Sequence, residues 1–379
     1  MQKINLFVQA LAVLGAVLFA GTTARAADPI VIGHFGSLTG GTATFGISTK
    51  EGIELAKDEI NAAGGVLGRP IVVVHEDNQS KAEEAVTAVQ KLISRDKVVA
   101  LIGEVASSRS IAAAPIAQQR RIPMLSPAST NPRVTQIGTY IFRSCFIDPF
   151  QGAAMANYAM NELKLKKFAI LYDVKQDYST GLREFFIASV KKNGGEIVSD
   201  ESYSTDDIDF KAQLTKIKNS GAEAIYCPGY YTEVGLICRQ ARGLGVNIPL
   251  LGGDGWDSDK TFEIGGDAVN GNYFTNHYSP DEDRPEVKKF VADYKARYEG
   301  KTPDAMAILG YDAMKLMANA ITRANSTKGS AIRDALATTK DFPGASGTIT
   351  IDENRNAQKP IVILKIENGK TNFVGSVKP

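Results

Sequence analysis

The hydrophobic pattern of this chain alternates between two kinds of segment. Short apolar runs at residues 30–35, 71–76 and 98–102 are typical of buried parallel strands. Between them lie longer segments, such as 82–95, in which apolar residues recur at helical spacing. Strands and helices that alternate at intervals of roughly 25 to 30 residues predict βαβ units, and therefore parallel sheets with helices on both faces.

The same alternation starts again near Asp148. A helix is predicted at about residues 150–163 and a strand at 168–173, and the series continues to a short strand at 249–251. A single hydrophobic core seldom grows beyond about 250 residues. We therefore predict an α/β protein with two doubly wound parallel-sheet lobes, the first closing near Asp148. An apolar helix at 306–320 indicates that the chain later crosses back to the first lobe.

The composition is that of a globular protein of 379 residues, 44% of them hydrophobic. Lys plus Arg number 43 and Asp plus Glu 42, so the net charge of +1 provides no field to attract nucleic acid or an anionic membrane. Cys145, Cys227 and Cys238 are an odd number, so at most one disulfide can form. Buried small side chains are the simplest interpretation of these cysteines, and their disulfide state stays open.

The first 26 residues have the pattern of a secretory signal peptide. Lys3 supplies a positive start, residues 6–19 are apolar, and Ala24-Arg25-Ala26 fits a small-x-small cleavage site. The apolar run is shorter than the roughly 20 residues that a membrane-spanning helix needs. We therefore expect removal of residues 1–26 and a mature protein outside the cytoplasmic membrane.

Two neighbouring predicted strands end in hydroxyl-rich loops, at residues 103–108 and 126–130. Ligands of open parallel sheets bind at the carboxyl ends of the strands. Hydroxyls and the positive N-terminus of a helix suit an anion, so the loops predict one half of a carboxylate site. The alternative is that Ser107 and Ser108 only cap the helix that follows them.

Aromatic residues and one carboxylate follow other predicted strands. Phe45, Tyr178 and Tyr230 lie after strand ends, and Asp254 follows the last strand of the second series. A carboxylate that faces hydroxyls and N–H groups across a cleft would hold a zwitterion, with the aromatic rings around its side chain. On the sequence alone, Tyr178 can equally be an amphipathic residue at a sheet end, and Asp254 a turn residue.

Motifs for nucleophilic catalysis, phosphate binding or a metal pair on a helix are absent from the sequence. His34, His75 and His277 are scattered, and each lies in or beside an apolar strand. We therefore expect structural histidines, no enzymatic activity, no metal and no cofactor.

The mature chain resembles the type I periplasmic solute-binding proteins, most closely the leucine/isoleucine/valine-binding branch that serves ABC importers. The matching segments follow the family's order over nearly the whole mature chain. They lie at residues 36–40, 60–68, 126–130, 177–181, 229–230, 239–241 and 252–255. The resemblance implies three crossovers between lobes, near Asp148, Tyr278 and Gly344. Residues 27–148 plus 279–343 would then form the first lobe, and 149–278 plus 344–379 the second.

The resemblance also implies the roles of individual residues. Ser107, Ala128 and Thr130 would hold the carboxylate and ammonium of a ligand, with Asp254 as the carboxylate for the ammonium. Tyr178 and Tyr230 match cleft-facing aromatic residues. The remaining implied pocket residues are Phe45, where a Tyr is usual, Val105, and Trp256, a departure from the family pattern like Glu104 nearby.

The expected function is therefore that of an extracytoplasmic binding component of an ABC transporter. It would capture a small amino acid, branched-chain first, as a monomer, and deliver it to permease subunits in the membrane, without nucleic acid as a partner. Binding of amides, urea or aromatic acids, or service as a ligand-sensing receptor domain, are the alternatives. The ligand, its affinity, the permease and the oligomeric state stay open.

Overall fold

The chain forms two open sheets with flanking helices in the computed structural model, which describes residues 28–378. The expected signal peptide at 1–26 lies outside the described residues. The five strands of the first sheet are all parallel, in the order β2-β1-β3-β4-β5. The elements of this first series are β1 Ile30–Gly36, α1 Ala43–Ala62, β2 Ile71–Asp77, α2 Ala82–Ser94, β3 Ala100–Ile102, α3 Ser107–Arg120, β4 Met124–Ser126, α4 Arg133–Gln136 and β5 Ile141–Arg143.

The second series builds the other sheet. Its elements are α5 Asp148–Asn161, β6 Lys167–Asp173, α6 Asp177–Lys192, β7 Glu196–Tyr203, α7 Lys211–Lys218, β8 Ala224–Tyr226, α8 Tyr231–Gly243, β9 Leu250–Gly252, α9 Asp259–Gly265 and β10 Tyr273–Asn276. These five strands are also parallel to one another. The predicted α/β fold class is thereby confirmed.

The chain then returns to the first lobe, as the apolar helices indicate. The elements of this part are α10 Pro285–Arg297, α11 Ala305–Ala324, α12 Gly329–Ala337, β11 Phe342–Gly344, β12 Gly347–Ile351 and β13 Ala357–Gln358. Helix α11 packs along α1, and strands β11 to β13 form a small antiparallel sheet.

The third crossover differs from the expectation. We expect it near Gly344, but Ile349, Ile351 and Ala357 pack in the first-lobe core, together with strand β1 and helices α11 and α12. Burial of these side chains keeps the chain in the first lobe as far as Gln358. It crosses at residues 359–360, so the second lobe regains only its last two strands.

Those last strands make the second sheet mixed instead of wholly parallel. They are β14 Ile361–Glu367 and β15 Lys370–Val377, which extend the sheet in antiparallel fashion beside β10. The sequence analysis does not predict β15. Its signal is the Asn368-Gly369 pair, both at positive φ (53° and 71°), because a two-residue hairpin turn requires this conformation.

Helices cover both faces of the first sheet, which is why its strands read as continuous apolar runs. One face packs on α1 and α11, and the other on α2 and α3. A third core fills one side of the second sheet, and a fourth cluster joins residues of both lobes. Within residues 28–378, no helix combines the length and apolar character needed to cross a membrane.

Buried His34 makes stability depend on pH. Its Nδ1 lies 2.9 Å from the Nδ1 of His75, whose Nε2 lies 2.9 Å from a Glu54 carboxylate oxygen. Burial, with a smaller contribution from His75, lowers the pKa of His34 well below its usual value. The folded state therefore binds fewer protons than the unfolded state once the pH falls below about 6.5.

We expect the free energy of unfolding to fall as the pH drops below about 6.5, with His34 contributing up to about 1.4 kcal/mol per pH unit. Urea unfolding at pH 7.5, 6.5 and 5.5, on the wild type and on His34→Phe, measures this effect. The variant should lose less stability over the same range. Identical pH slopes for the two proteins would contradict the assignment.

Candidate functional site

The carboxyl ends of both sets of parallel strands face each other across a cleft, and the two lobes touch there. The Asp177 N–H donates to Ser108 Oγ at 2.8 Å, and Asn131 Nδ2 donates to the Asp177 carbonyl at 2.7 Å. At another point of the cleft, Thr232 Oγ1 donates to the Gly41 carbonyl at 2.9 Å. The lobes are therefore closed, and polar groups between them are shielded from water.

On the first-lobe side, the start of α3 lies at the cleft. Helix α3 begins at Ser107, and its cap residue Ala106 makes no side-chain cap hydrogen bond. Ser107 Oγ accepts instead from the Asn131 N–H at 3.2 Å, and Ser108 Oγ from the second lobe. The interpretation that these serines only cap their helix is therefore wrong. The first N–H groups of a helix lack intrahelical partners, which suits a bound carboxylate.

Thr130 and Ala128 also belong to the first-lobe side of the candidate site. Both are buried, and Thr130 Oγ1 has no hydrogen-bond partner among residues 28–378. The Thr130 carbonyl accepts from the Asp148 N–H at 3.0 Å. A buried hydroxyl without a partner is costly, so Thr130 Oγ1 is available to a ligand group.

On the second-lobe side, Asp254 is held by three donors from separate elements. Its Oδ1 accepts from Gln151 Nε2 at 2.7 Å and from Tyr178 OH at 2.9 Å. Its Oδ2 lies 3.0 Å from His277 Nε2. A side chain at Gly253 would put its Cβ 2.4 Å from Tyr178 OH and 2.8 Å from Gln151 Nε2, so this position requires glycine. Asp254 is a buried, oriented carboxylate and not merely a turn residue.

A second carboxylate, Asp148, lies in the same buried region. It opens α5 directly after the first crossover, and neither of its oxygens has a hydrogen-bond partner in the described chain. Burial raises the pKa of Asp148 to about 8; the nearby Thr130 hydroxyl and the buried Arg143 guanidinium oppose this rise, and Asp254 adds to it. An unpaired buried carboxylate is unstable by itself, which makes it a place for a cationic group.

Aromatic rings from both lobes form the rest of the wall. Tyr178 and Tyr230 stack with centroids 5.1 Å apart, and Phe45 meets Tyr230 edge-on at 5.7 Å. Val105 and Ala128 belong to the same buried cluster. Tyr230 OH has no hydrogen-bond partner among the residues that the structure covers. These residues provide an apolar surface with one free hydroxyl.

Trp256 is placed differently from the expectation. Its Nε1 donates to the Cys227 carbonyl at 2.9 Å, and its ring stacks on Phe274 at 6.1 Å in the core of the second lobe. Gly252 lies directly against this ring, since a Cβ there would come within 2.1 Å of it. Trp256 therefore packs in the second-lobe core behind the loop that carries Asp254, apart from the cluster that contains Tyr178 and Tyr230.

Glu104, the other departure from the family pattern, forms a buried ion pair. Its Oε1 lies 3.0 Å from Arg109 Nε, and it also accepts from Ser37 Oγ at 2.8 Å and from Asn78 Nδ2 at 2.9 Å. Arg109 Nη2 donates to Thr42 Oγ1 at 2.8 Å. This network joins the ends of β1, β2 and β3, so the role of Glu104 is to hold the first-lobe loops together.

All three cysteines are buried and free. Burial raises the pKa of the Cys145 and Cys238 thiols to about 12, so both are unreactive. The described part of the chain contains no group of three His, Cys, Asp or Glu side chains that could hold a metal ion.

The sequence analysis does not predict three polar residues of the candidate site, which are Asp148, Gln151 and His277. Each lies at or beside a crossover between lobes. The available signal is a polar residue directly at a predicted crossover, as in Ile147-Asp148-Pro149.

Together, these groups can bind three chemical features at once. Two carboxylates suit an ammonium, the start of α3 and the Thr130 hydroxyl suit a carboxylate, and the aromatic wall suits an apolar side chain. No nucleophile with an adjacent base is part of this arrangement in residues 28–378. An arrangement of this kind can accommodate a zwitterion.

Known proteins are similar to this chain over nearly its whole length. Residues 29–371 match the family model of the periplasmic binding proteins. A Leu/Ile/Val-binding protein homolog of Brucella melitensis is 33% identical over 367 residues, which cover 95% of this chain and 98% of the relative.

Solved structures are similar over comparable lengths. A leucine-binding protein from Thermotoga maritima has a TM-score of 0.89 at 44% identity and covers 92% of this chain and 99% of its own. A branched-chain amino acid transporter substrate-binding protein from Streptococcus pneumoniae, in complex with isoleucine, has a TM-score of 0.88 at 36% identity, with 93% and 100% covered.

A more distant ABC-transporter solute-binding protein from Rhodopseudomonas palustris is in complex with 3,4-dihydroxybenzoic acid. It has a TM-score of 0.83 at 26% identity and covers 92% of this chain and 97% of its own. Members of this group are substrate-binding proteins of transporters. The chain belongs to the type I periplasmic binding proteins, in the leucine/isoleucine/valine-binding family.

Proposed function

We propose that this protein is the substrate-binding component of an ABC importer for a small amino acid with an apolar side chain, branched-chain amino acids first. The observation that carries the proposal is Asp148, a wholly buried carboxylate without a partner in the described chain, next to Asp254. A ligand ammonium supplies the positive charge that would pair with this carboxylate. The family relation adds support, since relatives are named for leucine, isoleucine and valine.

Charge compensation also accounts for ligand-dependent closure. The amino acid first meets Ser107 and Thr130 on the first lobe, and closure brings Tyr178, Tyr230 and Asp254 over it. Without a cation, closure buries the unpaired Asp148 carboxylate, which costs several kcal/mol. The ammonium offsets this cost, so the closed state is favoured only with ligand bound.

An aromatic acid is the second candidate ligand. Stacked Tyr178 and Tyr230 offer flat faces to a ring, and a related protein binds 3,4-dihydroxybenzoic acid. Such a ligand has no ammonium, so Asp148 would have to take up a proton as the lobes close. The raised pKa of Asp148, about 8 because of burial, is compatible with this protonation. Binding of amides or urea needs no ammonium either.

The partner in this proposal is the permease of an ABC transporter, and the location is the periplasm. Both come from the family relation, whose members are named as periplasmic binding proteins and transporter components. A monomer suffices, because one chain supplies both walls of the cleft.

A thermal-shift screen tests the ligand class. A ligand at about 100 times its dissociation constant stabilises the fold by about 2.7 kcal/mol. We expect leucine, isoleucine and valine to raise the melting temperature of the chain from residue 27 onward.

The matched controls are 4-methylpentanoate, which is leucine without its ammonium, and 3-methylbutylamine, which lacks the carboxylate. We expect both to have much smaller effects than leucine. A response to 3,4-dihydroxybenzoate or 4-methylpentanoate without a response to leucine would replace the amino acid by a simple carboxylic acid as substrate.

A further inference from the structure

His277 connects the carboxylate of the binding site with the hinge. The residue follows β10 directly, at the second crossover, and its Nε2 lies 3.0 Å from Asp254 Oδ2. Its ring stacks on Phe146 of the first crossover, with centroids 3.9 Å apart and an interplanar angle of 16°. Two hinge segments therefore hold the imidazole against Asp254.

The proton on this ring can be assigned from its partners. A carboxylate only accepts hydrogen bonds, so Nε2 must carry the proton. Burial lowers the pKa of His277, although Asp254 opposes this effect, so the ring is neutral at physiological pH. Nδ1 has no partner among the described residues. His277 thus presents one neutral N–H to one carboxylate oxygen of Asp254.

The neighbouring residues extend this contact to the first lobe. Asn276 Nδ2 donates to Asp257 Oδ2 at 3.0 Å, and the same oxygen accepts from the Ala305 N–H at 2.7 Å, at the start of α11. Asn276 Oδ1 in turn accepts from the His277 N–H at 2.8 Å. The strand end that carries His277 is therefore fixed by a contact between the closed lobes.

We propose that His277 is a positioning residue for ligand binding, because its neutral Nε2–H orients the Asp254 carboxylate toward the ligand ammonium as the hinge closes. This proposal rests on the proposed function, since it requires a ligand with an ammonium group. Gln151 and Tyr178 share the other oxygen, Oδ1, so His277 is the side chain that fixes Oδ2. The carboxylate cannot rotate while all three donors are in place.

Two substitutions separate the N–H donor from the ring. His277→Gln keeps a neutral N–H at a similar distance from the backbone but loses the stacking on Phe146. His277→Phe keeps a flat ring and loses the donor. A positioning role predicts that His277→Phe weakens leucine binding roughly tenfold, while His277→Gln stays within about threefold of the wild type. A packing role predicts the opposite order.

The measurements are isothermal titration calorimetry with leucine and ¹⁵N NMR of the wild-type histidines. With only three histidines in the sequence, the His277 signals can be assigned by comparison with the variants. We expect the Nε2–H tautomer for His277, and a shift of this resonance when leucine is added.

Wild-type leucine affinity in His277→Phe, a larger loss in His277→Gln, equal losses in both, or an Nδ1–H tautomer would overturn the proposal. An Nδ1–H tautomer would overturn the proposal even if one of the variants fails to fold. Absence of leucine binding by the wild type would overturn the proposed function, and this inference with it. Wild-type binding together with the wrong order of the variants would overturn this inference alone.

Discussion

Replacing Asp148 by asparagine is expected to weaken leucine binding by about 3 kcal/mol or more, which is roughly 100-fold. The carboxylate has no partner among residues 28–378 and lies beside Asp254 and Thr130. Asparagine has nearly the same shape but no charge. The substitution therefore removes one of the two negative charges available to the ammonium, with little change in packing.

The same substitution should raise the melting temperature of the ligand-free protein, because closure no longer buries an unpaired charge. Calorimetry with leucine and thermal unfolding without ligand measure the two effects. Asp209→Asn is the control, since Asp209 has 64% of its side chain exposed. Unchanged leucine affinity in Asp148→Asn would contradict the assignment of Asp148 to the ammonium. Improved binding of 3,4-dihydroxybenzoate would favour the aromatic-acid alternative.

Replacing Asp254 by alanine is expected to weaken leucine binding by about 2 kcal/mol or more. The change removes the second carboxylate and leaves the hydrogen-bond donors of Gln151, Tyr178 and His277 buried without an acceptor. We therefore expect a loss of stability as well as of affinity. Calorimetry with leucine and urea unfolding of the same variant separate the two.

Asp254→Asn is the matched variant, because an amide oxygen still accepts a hydrogen bond while the charge is absent. It should recover part of the stability lost in Asp254→Ala but little of the affinity for leucine. If Asp254→Ala unfolds more easily and still binds leucine like the wild type, Asp254 is structural only, and its place in the ligand site is refuted.

Much of the site is predictable from the sequence because parallel strands end at a common edge. Ser107, Thr130, Tyr178, Tyr230 and Asp254 each follow a predicted strand, and the structure brings them into one buried region. Their roles toward a ligand remain predictions. The resemblance to the binding-protein family is confirmed, because the family model spans residues 29–371.

Other features depend on contacts that no local pattern reveals. Trp256 follows the same strand as Asp254, yet its ring turns into the second-lobe core because it packs on Phe274. The third crossover lies beyond Gln358 because β12 is buried against the first lobe, although a strand there can in principle pair with either lobe. In both cases, apolar burial decides between alternatives that the sequence leaves equal.

The sequence by itself determined the α/β class and the two successive series of strands and helices, because hydrophobic periodicity specifies which faces must be buried. Only the tertiary structure decided which buried polar groups have partners. Asp254 accepts a hydrogen bond from Gln151, which lies 103 residues away in the sequence, whereas Asp148 has no hydrogen-bond partner in the described chain. Pairing of this kind depends on the distance between side chains in space. The absence of a positively charged partner for Asp148 in the described chain is the observation from which we infer a ligand ammonium.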